Sequence, residues 1–264
     1  MNNRKPFSLK WVPGFYKTIP NRLKMQNVLL RARIRNITDG LTMPEITNVP
    51  IGSGKRMEAA ILFFDLKDFT SITSKLKNEQ VLHMLNTIIP QMMHVVKRWR
   101  GEIEKNTGDG IMAIIGTETR DSFLIARDAI ETAMAMRYIM LNAIQANFIE
   151  KGIPFLNFRI GIDMGEVLIS RIGIDGTNHL VVIGDAANRA SKLQGFAPSN
   201  GIVLGENMYS NLHSLLQGYC NEEKHEDWKW SYTQSEKPYR FFSFNLDFAE
   251  PSEWVKIIAR LRYL

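Results

Sequence analysis

Residues 102–115 read EIEKNTGDGIMAII. Short β-compatible runs enter and leave a Thr-Gly-Asp-Gly centre, and the exit, Ile111 to Ile115, is wholly apolar, which is the pattern of strand, tight turn and strand. A hairpin puts antiparallel pairing into the sheet and argues against a doubly wound, purely parallel one. Upstream, Ala59 to Phe64 is a short apolar run suited to a buried strand, and Asn78 to Arg98 carries Val81, Leu82, Leu85, Ile88, Ile89, Met92, Val95 and Val96 at helical spacing. Downstream, Asp121 to Gln145 reads as a second helix with Ala126, Ala129, Ala133 and Met136 among its small or apolar positions. Phe155 to Met164 and Glu166 to Ser170 read as two strands joined at Met164-Gly165. Leu180 to Ile183 is strand-like, and Ala186 to Gln194 is helical after Gly184-Asp185. The expected class is α+β with an antiparallel-containing sheet.

The chain has 264 residues, 45% of them hydrophobic and 23% charged, enough for one large domain or two small ones; disordered, collagenous and coiled-coil readings are excluded. Lys and Arg outnumber Asp and Glu by 33 to 27, a net charge of +6, which raises nucleic acid or an anionic membrane as partner. The excess is local. Residues 1–55 hold ten Lys or Arg against Asp39 and Glu45, a balance of +8, and residues 56–264 carry −2. Residues 1–55 are therefore a basic N-terminal arm and linker, helix-compatible over Asn21 to Ile37 and Gly/Pro-rich over Thr38 to Gly54. Residues 56–218 form the core. Residues 219–264 complete the domain, with a strand at Tyr239 to Leu246 and a helix at Ser252 to Leu264. The arm has no aromatic stacking pattern, so no nucleic acid is expected as partner. A lone cysteine, Cys220, reads as an unpaired thiol in a reducing compartment. No apolar stretch approaches the roughly 20 residues of a membrane-spanning helix. No apolar core follows the basic start MNNRKPFSLKWVPGF either, so a cytoplasmic protein without transmembrane segment is expected.

Asp65 ends a hydrophobic strand and Asp109 sits in the hairpin turn. Two carboxylates at the rim of one sheet can hold divalent metal while leaving positions for phosphate oxygens. The plainer alternative is that Asp65 caps the next helix and Asp109 serves the Asp-Gly turn. Leu66-Lys67-Asp68-Phe69-Thr70 follows as a short loop into a helix, whose N–H groups can cradle phosphate. Asn188 and Lys192, four apart on a helix, share a face and pair an amide with a cation. Taken alone, such a pair is more often a solvated surface.

The order of four blocks resembles the class III nucleotidyl cyclase catalytic domain: ILFFDLKDFTSI (61–72), EKNTGDGIMAIIG (104–116), FRIGIDMGEVLIS (158–170) and VVIGDAANRASKLQ (181–194). The resemblance covers about residues 57 to 210. It implies a ferredoxin-like, palm-type βαββαβ cyclase core in residues 56–218. It implies that Asp65 and Asp109, with the Leu66 carbonyl, bind two divalent cations, Mn²⁺ or Mg²⁺, and that the Phe69 and Thr70 amides face the triphosphate. Lys105 matches a base-contacting lysine, Asn188 a ribose-orienting asparagine and Lys192 a transition-state cation. In the family the metal aspartates come from one subunit and the other three groups from its partner. A chain with both sets is expected to form a head-to-tail homodimer with shared active sites.

Four positions depart from the family pattern. Asp68 replaces a glycine, Lys192 an arginine, and Phe64 a small residue before the metal aspartate; strand alternation turns Phe64 away from the face of Asp65, as core filler. Val181 stands where adenylate cyclases place an aspartate or threonine that reads the adenine amino group, and valine has no hydrogen bond to offer. With that reader missing, the chain resembles the compact bacterial pyrimidine cyclases of the Pycsar antiphage systems. These act with a separate effector that responds to cyclic UMP or cyclic CMP. The expected activity is UTP to cUMP or CTP to cCMP, with pyrophosphate released. A conventional adenylate cyclase, favoured by Lys105, and an inactive nucleotide-binding dimerisation module are the alternatives. A diguanylate cyclase would need Gly-Gly-Asp/Glu-Glu-Phe where this chain has Thr-Gly-Asp-Gly.

Overall fold

A computed structural model describes residues 51–116, 121–174, 176–231 and 237–246; the helices expected at Asn21 to Ile37 and Ser252 to Leu264 fall outside them. The apolar run Ala59 to Phe64 is the middle of a longer strand, β1 (Gly54–Leu66). A short helix α1 (Phe69–Thr73) and the long α2 (Asn78–Arg98) follow, then the hairpin β2 (Glu102–Asn106) and β3 (Gly110–Ile115). Next come α3 (Ser122–Ile139), a π-helical turn over Met140–Ile144 and α4 (Gln145–Glu150). Then come β4 (Phe158–Ile174), β5 (Thr177–Ile183) and α5 (Asp185–Phe196). The described chain ends with β6 (Gly201–Gly205), α6 (Glu206–Ser210), α7 (Ser214–Gln217), β7 (Cys220–Glu223) and β8 (Phe241–Phe244).

Among the described residues one sheet holds all eight strands in the order β2-β3-β1-β4-β6-β8-β7, with β5 paired to the far part of β4. Among the described strands only the β4–β6 pair is parallel. The series β1, α2, β2, β3, α3, β4 is the expected βαββαβ. One expectation needs correction. Met164-Gly165 is not a turn: β4 runs unbroken through it for 17 residues, because β1 pairs with it from Phe158 to Ser170, with Gly165 opposite Ala59. The chain reverses instead after Ile174. The helix expected over Asp121 to Gln145 is present, but it carries a π turn and runs on to Glu150. Asp121 caps α3, its side chain accepting from the Leu124 N–H at 3.0 Å, and a π turn then passes the chain on to α4, which ends at Glu150.

β1 is apolar on both sides because both faces of the sheet are covered. Ala60, Leu62, Phe64 and Leu66 join Ile111, Ala113 and Ile115 of β3 and Ile160, Ile162 and Met164 of β4 against α2 and α3. Ala59 and Ile61 join Met112, Ile114, Val167 and Ile169 on the opposite face, where α5 lays down only Ala186, Ala187 and Ala190. Small side chains let that helix lie close. At Gly161 of β4 a Cβ would stand 2.3 Å from the Gln194 nitrogen and 2.4 Å from the Ala190 oxygen, so the α5 backbone rests directly on the strand. Phe64 stacks on Phe158 at 5.6 Å within the helix-covered core, as the alternation requires. Asp65, one residue on, falls on the α5 face.

Candidate active site

Register sets the first half of the site. Asp65 pairs with Gly110 on one side and Arg159 on the other. A Cβ at Gly110 would meet the Phe64 carbonyl oxygen at 2.3 Å, so only glycine lets the turn carrying Asp109 close against β1. The Leu66 N–H donates to the Asp109 carbonyl at 3.2 Å and fastens the two segments together. The half-buried Asp65 carboxylate accepts from Arg159 Nη2 at 3.4 Å and from Gln194 Nε2 at 3.0 Å. Burial, and then the negative charge of Asp109, push its carboxyl above the ordinary range against the pull of Arg159 and Gln194. Asp65 does not cap α1: the residue at that position is Asp68, in the left-handed conformation with φ 58° and no side-chain capping bond. The first-turn amides of α1, Phe69 and Thr70 among them, lie beyond reach of intrahelical acceptors.

These residues fit a divalent cation. The charge of Asp109 raises the proton affinity of Asp65, and a cation beside the pair would relieve that repulsion. No group of three or more His, Cys, Asp or Glu encloses a metal site among the described residues, so a cation on this pair would keep positions open for a ligand.

Lys105 on β2 and Val181 on β5 belong to a second group. β5 reaches β2 through the Val182 N–H, which bonds to the Glu104 carboxylate, so Lys105 and Val181 flank one contact. Glu104 has a side chain only 6% exposed, and its Oε2 lies 3.6 Å from Lys105 Nζ with no partner at hydrogen-bond distance. Burial pushes its carboxyl up, against Lys105 and the Val182 amide. Asn188 and Lys192 lie on the exposed side of α5, one turn apart.

Arg189 and Gln194 hold that helix in place, and neither was anticipated from the sequence. Arg189 pairs with Asp163, which is fully buried on β4. The Tyr239 hydroxyl donates to Asp163 Oδ1 at 2.8 Å and accepts from the Asn207 N–H at 2.8 Å, and the Arg189 guanidinium lies 4.3 Å from the Tyr239 ring centroid. Gln194, two residues beyond Lys192, is the link from α5 to Asp65. At the same end of the helix a cavity of about 550 Å³ is lined by Lys192, Gly195, Phe196, Asp227, Trp228, Lys229 and Trp230.

Comparison with known proteins places the chain among nucleotide cyclases. The chain is 31% identical over 154 residues to a cytidylate cyclase of Staphylococcus aureus, covering 57% of this chain and 36% of that one. It is 28% identical over 169 residues to an adenylate cyclase of Anabaena cylindrica, covering 63% and 33%. The matches thus span about a third of either relative's length. A uridylate cyclase of Gulbenkiania mobilis is 25% identical over 193 residues, covering 69% and 73%. Among solved structures, the adenylyl cyclase CyaB from P. aeruginosa superimposes with a TM-score of 0.63 at 22% identity, covering 74% of this chain and 97% of that one, and so shares the fold. The Adenylate and Guanylate cyclase catalytic domain model matches residues 53–230, which include both carboxylates, the β2 and β5 pair and all of α5, and the chain belongs to that family.

Proposed function

We propose that this cyclase-family chain converts a pyrimidine ribonucleoside triphosphate, CTP or UTP, into its 3′,5′-cyclic monophosphate and pyrophosphate. The observation that carries the choice of base is Val181. It precedes Val182, whose N–H bonds to the Glu104 carboxylate next to Lys105, and its side chain has no hydrogen-bonding group with which to read a purine edge. Relatives described as cytidylate and uridylate cyclases support it.

In this reading the substrate's 3′ oxygen bonds to the α-phosphorus as the bond to the β-phosphate oxygen breaks; pyrophosphate leaves and the 3′ proton passes to solvent. Asp65, Asp109 and the Leu66 carbonyl would hold two divalent cations, Mn²⁺ or Mg²⁺, which supply a more acidic 3′-hydroxyl and charge to offset the triphosphate. Phe69 and Thr70 offer backbone N–H groups to phosphate oxygens. Asn188 orients the ribose, Lys192 faces the charge that develops in transfer, and Lys105 contacts the base. The two sets come from different protomers of a head-to-tail homodimer. The cyclic nucleotide serves a separate effector in antiphage defence, and the enzyme works in the cytoplasm. Among the described residues no helix is long and apolar enough to cross a membrane.

A second reading, an adenylate cyclase, is favoured by Lys105 and by the Anabaena relative. One experiment separates them: purified protein is incubated with each of the four ribonucleotides and Mn²⁺ or Mg²⁺, and products are identified by mass spectrometry. A cyclic pyrimidine nucleotide, absent with Asp65→Ala, is the expected product. Cyclic AMP as main product overturns the choice of base, and no product from any nucleotide points to a binding module.

A further inference from the structure

Lys192 does not stand alone on its helix. Its Nζ lies 5.0 Å from the centroid of the Trp230 ring, a residue of the segment between β7 and β8. That ring is braced on several sides. The Trp230 carbonyl accepts from the Tyr239 N–H at 2.9 Å, and a bridge between Ser231 and Pro238 closes the segment just beyond. Trp228 stacks on Trp230 with centroids 6.3 Å apart and planes 28° from parallel, while its own Nε1 donates to the Tyr239 carbonyl at 2.6 Å. Trp228 in turn packs edge-on against Phe196, the last residue of α5, at 5.7 Å, and against Phe241 at 5.2 Å. The aromatic ladder thus leaves α5 at Phe196 and returns to it at Lys192, with the cavity of about 550 Å³ between.

A lysine has a long flexible stem and a point charge, with none of the planar fork that orients an arginine. An exposed lysine therefore spreads over many rotamers, and a cation that must meet a developing charge at one place loses effect in proportion. An aromatic face attracts an ammonium group and narrows that spread. We propose that Trp230 is a positioning residue for Lys192, holding its ammonium where the cavity opens beside α5 so that the cation is already placed when phosphoryl charge develops. The proposal rests on Lys192 as the transition-state cation of the cyclase reading. Trp230 does not touch the reacting atoms; it acts through Lys192.

The test is a double-mutant cycle in steady-state kinetics, using the full chain, saturating Mn²⁺ and the nucleotide turned over by the wild type. Trp230→Ala should lower kcat roughly 3- to 30-fold, the range a cation–π contact spans, with KM changed by less than about twofold. Trp230→Phe should recover most of the loss. In a Lys192→Met background, Trp230→Ala should have no further effect. An equal loss in both backgrounds would show that Trp230 only supports the fold and would overturn the proposal. So would unchanged or raised activity of Trp230→Ala when Lys192→Met is inactive, and that result leaves the role of Lys192 intact. Full activity of Lys192→Met would remove the underlying reading itself and is told apart by that variant alone. A readout independent of turnover covers poor folding of Trp230→Ala. In lysine-labelled protein the side-chain methylene resonances assigned by Lys192→Met should be shifted by the Trp230 ring current and keep that shift in Trp230→Phe. Random-coil shifts for Lys192 in the wild type would overturn the contact.

Discussion

Gln194 Nε2 donates a hydrogen bond of 3.0 Å to Asp65 Oδ2, joining the last turn of the helix that bears Asn188 and Lys192 to the strand end that bears the candidate metal carboxylate. Arg159, directly opposite Asp65 in the β1–β4 register, shares the same oxygen at 3.4 Å. The carboxylate is oriented before any cation arrives, and a positive charge already stands beside it.

That charge opposes cation binding. Arg159→Met is expected to lower the Mn²⁺ concentration for half-maximal activity by about three- to tenfold, an effect of roughly 1 kcal/mol for a charge at this distance in a half-exposed site. A metal titration of initial rates measures it; an unchanged or raised midpoint would show that Arg159 holds Asp65 for the cation.

Shared active sites predict complementation. Asp65→Ala and Asn188→Ala should each be inactive, and mixing them should restore up to about a quarter of wild-type activity, the statistical share of sites with both halves intact when protomers exchange at random. Native mass spectrometry verifies exchange, and exchange without activity would place both sets in one protomer.

Glu104 predicts a pH dependence of stability. Burial raises its carboxyl above the ordinary range, so the folded chain holds this proton more tightly than the unfolded chain. Its favourable contribution is present below the ordinary carboxylate range and falls away as pH rises through the raised value, leaving a buried charge at neutral pH. Glu104→Gln keeps an acceptor for the Val182 amide without the charge, and its stability advantage over wild type should grow from pH 4 to pH 7 in urea melts. A constant difference across that range would assign the ionised form to both states.

Tyr239→Phe removes the hydroxyl that donates to buried Asp163 and accepts from Asn207. A loss of about 1–3 kcal/mol is expected, or several degrees in Tm. Thermal melts check it, and a smaller loss would mean that Arg189 and the Met164 backbone satisfy Asp163 without the hydroxyl.

Gly161→Ala should be worse for activity than for stability. The new methyl group meets α5 backbone atoms at 2.3 and 2.4 Å, which cannot rotate away as a side chain would. Overpacking of this kind costs about 1–3 kcal/mol. The shift falls on the helix that carries Asn188, Lys192 and Gln194, so kcat should drop more than tenfold in protein that calorimetry shows to be folded. Activity within twofold of wild type would show that α5 tolerates displacement.

Much of this was legible in the sequence because it rests on local pattern. The bounds of α2, the β2–β3 turn and the side of β1 on which Phe64 lies all follow from periods of 3.6 and 2 read over a few residues. Asp65 and Asp109 stood out as strand-end and turn carboxylates before any pairing was known. Arg159 and Gln194 did not, because their value depends on the β1–β4 register and on how α5 lies across the sheet, both long-range facts. The misplaced turn at Met164-Gly165 has the same origin: a glycine signals a reversal only where no neighbouring strand continues past it, and β1 does continue. Trp230 lies in an acidic, aromatic stretch, EEKHEDWKW (222–230), that shows no regular period. Its place over Lys192 depends on a hairpin closed nine residues later at Tyr239.

The unbroken length of β4 has a final implication. One strand carries Arg159 against Asp65 near its start and Ser170 against Val181 near its far end, with β1 alongside throughout. It works as a ruler between two workplaces. A one-residue slip would turn Asp65 and the strand bearing Val181 to their wrong sides together, so the two ends of β4 are cut from the same gauge and change only in step.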